Sequence, residues 1–350
     1  MDRPASRALR YRLMMFASVA GLFALLIHRL GYHRILRELG AIGWGLAAIA
    51  ALELAISAIC TVGWWFTFPR ATRGGSLARL FFVRLAGSAL NQTIPGASIG
   101  GEPVKVLLLR GRFPATLTAA SIMCMMLAES LARCLFIMLG LLLALRSVKL
   151  GALPFDSLAA GFALTASAVA AFMVVQIRGF GAVARRVFDR MRHLGGWVVR
   201  IEHALRMVDL HLRELYRSRF LDFLASVALS LAALGVGVVQ AWLLIGWLGV
   251  GRSWPVALAI ESLSVLINFV FFFVPGSLGV QEGGKMLIFA ALGLPVSAGL
   301  TLGISFRLAS LTTVAAGLLA LPFLKVRQPE IAPAATNHPE VTAPAERSVA

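Results

Sequence analysis

Residues 254–294 read WPVALAIESLSVLINFVFFFVPGSLGVQEGGKMLIFAALGL. The run 254–274 is apolar and long enough for the roughly 20 residues that a bilayer demands of a spanning helix. Pro275-Gly276 then breaks it, and the apolar piece that follows, 286–294, is too short to cross. At 1.5 Å per residue, about 10 residues reach only half of a ~30 Å hydrocarbon core. The stretch therefore predicts a helix, a break and a half-helix, folded as a re-entrant hairpin that leaves on the side it entered. Irregular backbone at membrane depth is tolerated only where protein or a wet cavity surrounds it.

The same grammar occurs once before, at 77–110, with an apolar run 77–94, a break at Pro95-Gly96 and a short apolar piece 103–109. The first break continues Ala97-Ser98-Ile99-Gly100-Gly101-Glu102-Pro103-Val104-Lys105, the second Ser277-Leu278-Gly279-Val280-Gln281-Glu282-Gly283-Gly284-Lys285. Both fit Pro-Gly-x5-Glu-x2-Lys, 180 residues apart. The glycines permit positive φ and close backbone approach. Free N–H groups at a half-helix start favour an anion such as phosphate. Glu102 and Glu282 fall in the first helical turn, and Lys105 and Lys285 share their face. Two readings stand for these pairs: they cap and pair within each hairpin, or they line a polar cavity and hold a charged headgroup.

Further apolar runs at 13–27, 41–68, 114–145, 153–177, 221–250 and 296–324 predict six full spans. Leu13 to Ile27 follows Arg3, Arg7, Arg10 and Arg12; because His28, Arg29 and Leu30 come next rather than a small-residue cleavage site, it reads as a retained signal anchor. With two hairpins among the spans, the N-terminus, 69–79, 110–112, 178–220 and 325–327 share one side and hold 21 Lys+Arg, against 6 in the opposite loops. The positive-inside rule then places both termini in the cytoplasm. The first hairpin would enter from the cytoplasm and the second from outside, an inverted repeat of the kind that builds transporter sites at the midplane.

The expected fold is an all-α integral membrane protein of six transmembrane helices and two re-entrant broken-helix hairpins. A polytopic membrane domain occupies 1–327, and 328–350, rich in Pro, Ala, Thr and Glu, reads as a disordered tail. Residues 178–220 form a basic loop with an amphipathic stripe at Val198, Ile201, Leu205, Val208, Leu212 and Leu215. It is either an interfacial helix on anionic lipid or a cytoplasmic helical hairpin.

Composition agrees: the chain is 59% hydrophobic and 14% charged, with mean hydropathy +0.84, where soluble domains carry about 25% charged residues. The net charge of +17 sits mostly in short loops between apolar runs, which argues for membrane orientation and against nucleic acid. Cys60, Cys124 and Cys134 lie inside apolar runs without metal-ligand spacing and read as small core residues. Gly96-Ala97-Ser98-Ile99-Gly100 matches a serine-hydrolase elbow, but that motif needs a strand–turn–helix context, and no histidine falls at mid-bilayer depth. No nucleotide or zinc-protease fingerprint occurs, so no cofactor or metal is expected and the chain does not read as an enzyme.

Other ionisable residues fall within spans. Glu129 and Arg133 are four apart and could pair, while Glu53, Glu261 and Arg307 stand alone in apolar runs. Such residues usually face a bundle interior and mark a pathway. By their similar intervals from the hairpins, Arg133 and Arg307 could be equivalent in the two halves. Asn91, Gln92 and Asn268, just before the breaks, could satisfy freed backbone groups.

At the two Pro-Gly motifs the chain resembles the lysylphosphatidylglycerol synthase transmembrane-region family, also called the flippase-like domain family. Asn91 to Arg110 carry the resemblance, as do Val274 to Lys285 (VPGSLGVQEGG and the lysine), with Gly293 and Arg307 downstream. It covers about residues 10–325. It implies about eight membrane segments and, where function is assigned, lipid translocation between leaflets. Members fused to an aminoacyl-transfer domain modify phosphatidylglycerol; this chain has no room for that domain, so synthase activity is not expected. Some stand-alone members accompany hopanoid biosynthesis, and the Gly100-Gly101-Glu102 variant is similar to that branch.

The expected function is a transporter or flippase for an anionic or polar-headed phospholipid or hopanoid in the cytoplasmic (inner) membrane. Its substrate site would be built from Pro95, Gly96, Gly100, Gly101, Glu102, Lys105, Glu129, Arg133, Pro275, Gly276, Gly279, Glu282, Lys285 and Arg307. Two alternatives remain: a non-catalytic scaffold for lipid-biosynthesis enzymes, and a membrane-embedded lipid transferase using Glu102 or Glu282 as base.

Overall fold

The computed structural model describes residues 42–73, 76–93, 101–147, 218–271 and 279–324, with isolated positions at 40, 163, 167, 210 and 214. The expected spans 13–27 and 153–177, the basic loop up to 217 apart from positions 210 and 214, both Pro-Gly breaks and the tail lie outside them.

Every regular element among the described residues is a helix. In chain order they form α1 (Gly45–Thr67), α2 (Leu77–Thr93), α3 (Gly101–Leu109), α4 (Ala115–Ser147), α5 (Phe220–Trp247), α6 (Trp254–Val270), α7 (Val280–Ala291) and α8 (Val296–Ala320). Short 3-10 turns follow α1 at Arg70–Thr72 and α8 at Leu321–Phe323. Four helices are long and apolar enough to cross a membrane: α1, α4 over Ala115–Gly140, α5, and α8 with its 3-10 turn. They correspond to the expected spans 41–68, 114–145, 221–250 and 296–324. α6 is apolar but shorter, ending at Val270 before the break.

Small residues let the helices pack closely, and α1 and α5 run antiparallel. Along α1 and α5, Gly45 lies against Trp247, the Ile49 carbonyl accepts from Gln240 at 3.0 Å, and Gly63 faces Ser226. Gly317 of α8 rests on the Leu85 carbonyl of α2, and Gly140 of α4 sits against Ser262 of α6. Apolar cores fill the seams, one around Ile49, Leu244, Ile260, Phe289 and Leu302, another around Trp64, Phe68, Val83 and Leu109. Leu142, Leu221, Leu287, Leu319 and Phe323 face outward, an apolar exterior that suits lipid contact.

Both short helices fold back on their partners. Arg79 of α2 donates to the Leu108 carbonyl of α3 at 3.3 Å, and Asn91 Oδ1 accepts the Gly101 N–H at 2.5 Å. α3 thus runs antiparallel to α2, so close that a Cβ at Gly101 would collide with the Gly87 carbonyl. Asn91 does what its position suggested, capping a free N–H of the half-helix. In the second pair, Gly284 of α7 packs on Ile267 of α6. α7 begins at Gly279, with φ +76°, a conformation that only a residue lacking Cβ adopts freely. It ends at Gly293, φ +69°, where the Leu294 N–H returns to the Phe289 carbonyl at 2.8 Å.

One end of the bundle gathers the end of α1, the starts of α2, α4 and α5, and the ends of α3 and α8. Arg70, Arg73 and Arg219 converge there on Asp222, Arg73 at 2.7 Å and Arg219 at 3.1 Å. Arg73 and Arg219 also donate to the Phe66 and Phe68 carbonyls, which satisfies acceptors left free where α1 stops.

Candidate functional site

Between the two broken helix pairs lies a polar cavity of about 290 Å³. All but one of the described helices reach it. α1 contributes Glu53 and Cys60, α2 Arg84, α4 Glu129 and Arg133, and α5 Ser230, Gly237 and Gln240. α6 adds Glu261, Ser264 and Asn268, α7 Gln281 and Lys285, and α8 Phe306 and Ser310. α3 is absent from the lining.

Six ionisable side chains meet there. Glu129 bridges two arginines, Arg84 at 2.7 Å and Arg133 at 3.1 Å. The Arg84 side chain is 13% exposed and also touches Met125 Sδ at 3.0 Å, whereas Arg133 is 45% exposed. Across the cavity, Gln240 reaches Glu53 at 3.4 Å while donating to the Ile49 carbonyl. Glu261 lies over Gly237, where a Cβ would come within 2.9 Å of its Oε1. Lys285 stands over the Phe306 ring, its Nζ 4.5 Å from the centroid.

The two sequence motifs are used differently. In the first, Lys105 bonds Glu102 at 2.7 Å, and both lie outside the cavity lining. The second Glu102 oxygen is buried and has no partner among the described residues. In the second motif, Glu282 accepts the Gly279 N–H at 3.0 Å and takes Arg307 at 2.9 Å. Arg307 is thus engaged rather than alone. Lys285, released from its own glutamate, turns to the cavity. Gly303 makes room for this on α8, where a Cβ would stand 3.0 Å from the Glu282 Cα.

Of the expected site residues, the structure brings Glu129, Arg133 and Lys285 together on one cavity. Gly101, Glu102, Lys105, Gly279 and Glu282 sit in the packed helix pairs around it, and Arg307 reaches Glu282 from α8. Pro95, Gly96, Gly100, Pro275 and Gly276 lie outside the described residues. Arg133 pairs with Glu129 and Arg307 with Glu282, so their contacts are not equivalent. Sequence reading passed over Arg84, Gln240 and Gln281. An arginine inside the apolar run 77–94 was the available signal for the first; uncharged amides gave none.

Comparison with known proteins fits this geometry. Neither curated proteins nor solved structures gave a match to the chain. The family model described as Lysylphosphatidylglycerol synthase TM region matches residues 12–317, a stretch that includes every cavity residue. With most of its length matched, the chain, a multi-pass membrane protein of a family tied to lipid handling, belongs to the lysylphosphatidylglycerol synthase transmembrane-region family.

Proposed function

We propose that the protein is a lipid transporter of the flippase type, moving a polar or anionic-headed lipid between the leaflets of the cytoplasmic membrane. The observation that carries this reading is the charged cavity among membrane-spanning helices. Each ionisable group near mid-bilayer costs about 2.5–3.5 kcal/mol on insertion scales. Three of the six, Glu53, Glu261 and Lys285, have no ion pair among the described residues to offset that cost. At about 290 Å³ the cavity lies at the small end of ligand pockets, roughly 300–1,000 Å³. It suits a headgroup, with the acyl chains left in the bilayer.

The architecture behind this reading is a pair of re-entrant hairpins, α2–α3 and α6–α7, entering from opposite faces. Its support is the packing against α8. Glu282, near the start of α7, meets Arg307 at the centre of that 25-residue helix. Leu85 of α2 meets Gly317 near its far end, and α2 runs on from there toward the middle. The end of α2 and the start of α7 then lie toward the middle of α8. The arginine-rich end of the bundle is the cytoplasmic one under the positive-inside rule. Membrane lipids are the partners, and the chain acts without catalysing a reaction.

The test is reconstitution in vesicles carrying a fluorescent anionic phospholipid, with leaflet exchange read by dithionite quenching. Lys285→Ala and Arg133→Ala are expected to slow exchange at least tenfold. Exchange by both variants at the wild-type rate would remove the cavity from the mechanism and favour the scaffold reading.

A further inference from the structure

The six cavity charges divide into two groups. Arg84, Glu129 and Arg133 are bonded to one another and sum to +1. Glu53, Glu261 and Lys285 sum to −1, and their contacts are much looser.

Lys285 is only 4% exposed, yet among the described residues its ammonium donates to no oxygen. An ammonium carries three donors, and leaving them unmade away from water is costly. Glu53 receives only the long Gln240 bond, and Glu261 accepts none among the described residues. Asn268 Oδ1, on the same wall, is buried without a partner among them. Both carboxylates line the same cavity as Lys285. One buried cation therefore serves as counter-charge to two carboxylates while its own donors stay open.

We infer that Glu53, Glu261 and Lys285 form a linked anion–proton site, in which a phosphate on Lys285 is accompanied by one proton on the carboxylate pair. The inference rests on the lipid-transport reading above. When a phosphodiester takes the Lys285 ammonium, it brings −1 beside two carboxylates and withdraws the charge they shared. Like charges at one site favour protonation of one partner. A proton given up by a buffer acid in bulk solvent, whose conjugate base stays outside, binds a carboxylate oxygen of Glu261 or Glu53, giving a neutral acid and restoring the group's net −1.

The other charged or titratable groups around the site are Cys60 from α1, Arg84 from α2, Glu129 and Arg133 from α4, and, behind Lys285, the Glu282–Arg307 pair of α7 and α8; α5 offers the uncharged Gln240. Both arginines are bonded to the single Glu129 carboxylate and neither bonds Glu53 or Glu261, so their surplus positive charge is not held by that pair. Linkage is reciprocal: the proton strengthens phosphate binding by the factor by which phosphate strengthens proton binding. One proton per anionic headgroup makes the loaded cavity electrically equal to the empty one. Movement is then driven by a pH gradient and is indifferent to membrane voltage.

The test is calorimetric titration of the full chain, in a neutral detergent, with short-chain dihexanoyl-phosphatidylglycerol. Two buffers of equal pH and different ionisation enthalpy report the protons taken up. The wild type is expected to take up about one proton per lipid bound, with Kd rising up to tenfold per pH unit. Glu53→Gln and Glu261→Gln each remove the surplus negative charge. Each is expected to bind with proton uptake near zero and a Kd insensitive to pH, so either variant suffices if the other fails to fold. Lys285→Gln is expected to weaken binding at least tenfold. Binding by the wild type without proton uptake overturns the coupling and leaves lipid transport standing. No binding by the wild type overturns the anion site itself, and vesicle exchange then decides the transport reading separately.

Discussion

Glu129 holds two arginines of unequal burial, and removing each in turn separates structure from function. Arg84 is 13% exposed and bonds the carboxylate at 2.7 Å, linking α2 to α4. Arg84→Ala leaves Glu129, 14% exposed, held only by the outer arginine. Breaking a buried pair by removing one partner costs about 3–5 kcal/mol. Arg133 is 45% exposed to the cavity, bonds at 3.1 Å and sits on the same helix as its partner. An exposed i,i+4 pair contributes about 0.3–0.5 kcal/mol. Arg133→Ala should therefore unfold with nearly the wild-type midpoint while lipid exchange falls. Arg84→Ala should unfold several kcal/mol earlier. Equilibrium unfolding in mixed micelles, followed by helical circular dichroism against denaturing detergent, measures both. Equal destabilisation by the two substitutions would refute the assignment of Arg84 as the structural arm and Arg133 as the ligand-facing arm.

The positive φ of Gly279 makes Gly279→Ala cost about 1–2 kcal/mol, and Gly279→Asn should recover part of it because asparagine tolerates that region; unfolding midpoints check both. Gly101→Val places atoms where the Gly87 carbonyl stands and should pry α3 from α2, seen as faster proteolysis near residue 100 and a midpoint lower by at least 2 kcal/mol. Cys60 lines the cavity whereas Cys124 is buried in packed protein, so a small, water-soluble methanethiosulfonate should modify Cys60 and spare Cys124, as mass spectrometry of peptides would show. Modification of neither thiol would argue that the cavity is dry.

The four described spans were legible because bilayer thickness imposes a length that any apolar run must meet, as 41–68 and 296–324 do. The broken pairs were legible because Pro-Gly next to short apolar pieces admits few alternatives. The charge pairing was not. Sequence placed Lys105 and Lys285 three residues beyond a glutamate and gave both the same expected partner. The deciding features lie elsewhere in the chain. Gly303 lets α8 approach Glu282 closely, Arg307 claims that carboxylate, and Phe306 offers its ring to the displaced lysine. Arg84 shows the complementary failure. Its meaning depends on Glu129, 45 residues away, and no local period links them.

The unequal use of two matched motifs bears on how the site works. A half-helix start offers free N–H groups and a positive dipole end, which by themselves favour an anion at either break. In α3 that demand is met internally: Asn91 takes the Gly101 N–H and Glu102 engages Lys105. In α7, Glu282 meets it through the Gly279 N–H, and Arg307 neutralises the carboxylate in turn. The motif lysine of the second hairpin is then the one left over, the cavity-facing cation without a bonded oxygen among the described residues. In the first motif the lysine stays with its own glutamate, and in the second Arg307 of α8 takes the glutamate while the lysine faces the cavity. Under the transport reading we propose, recognition is accordingly concentrated at Lys285, which shares its cavity with Glu53 and Glu261, while Glu102 and Lys105 pair outside that lining.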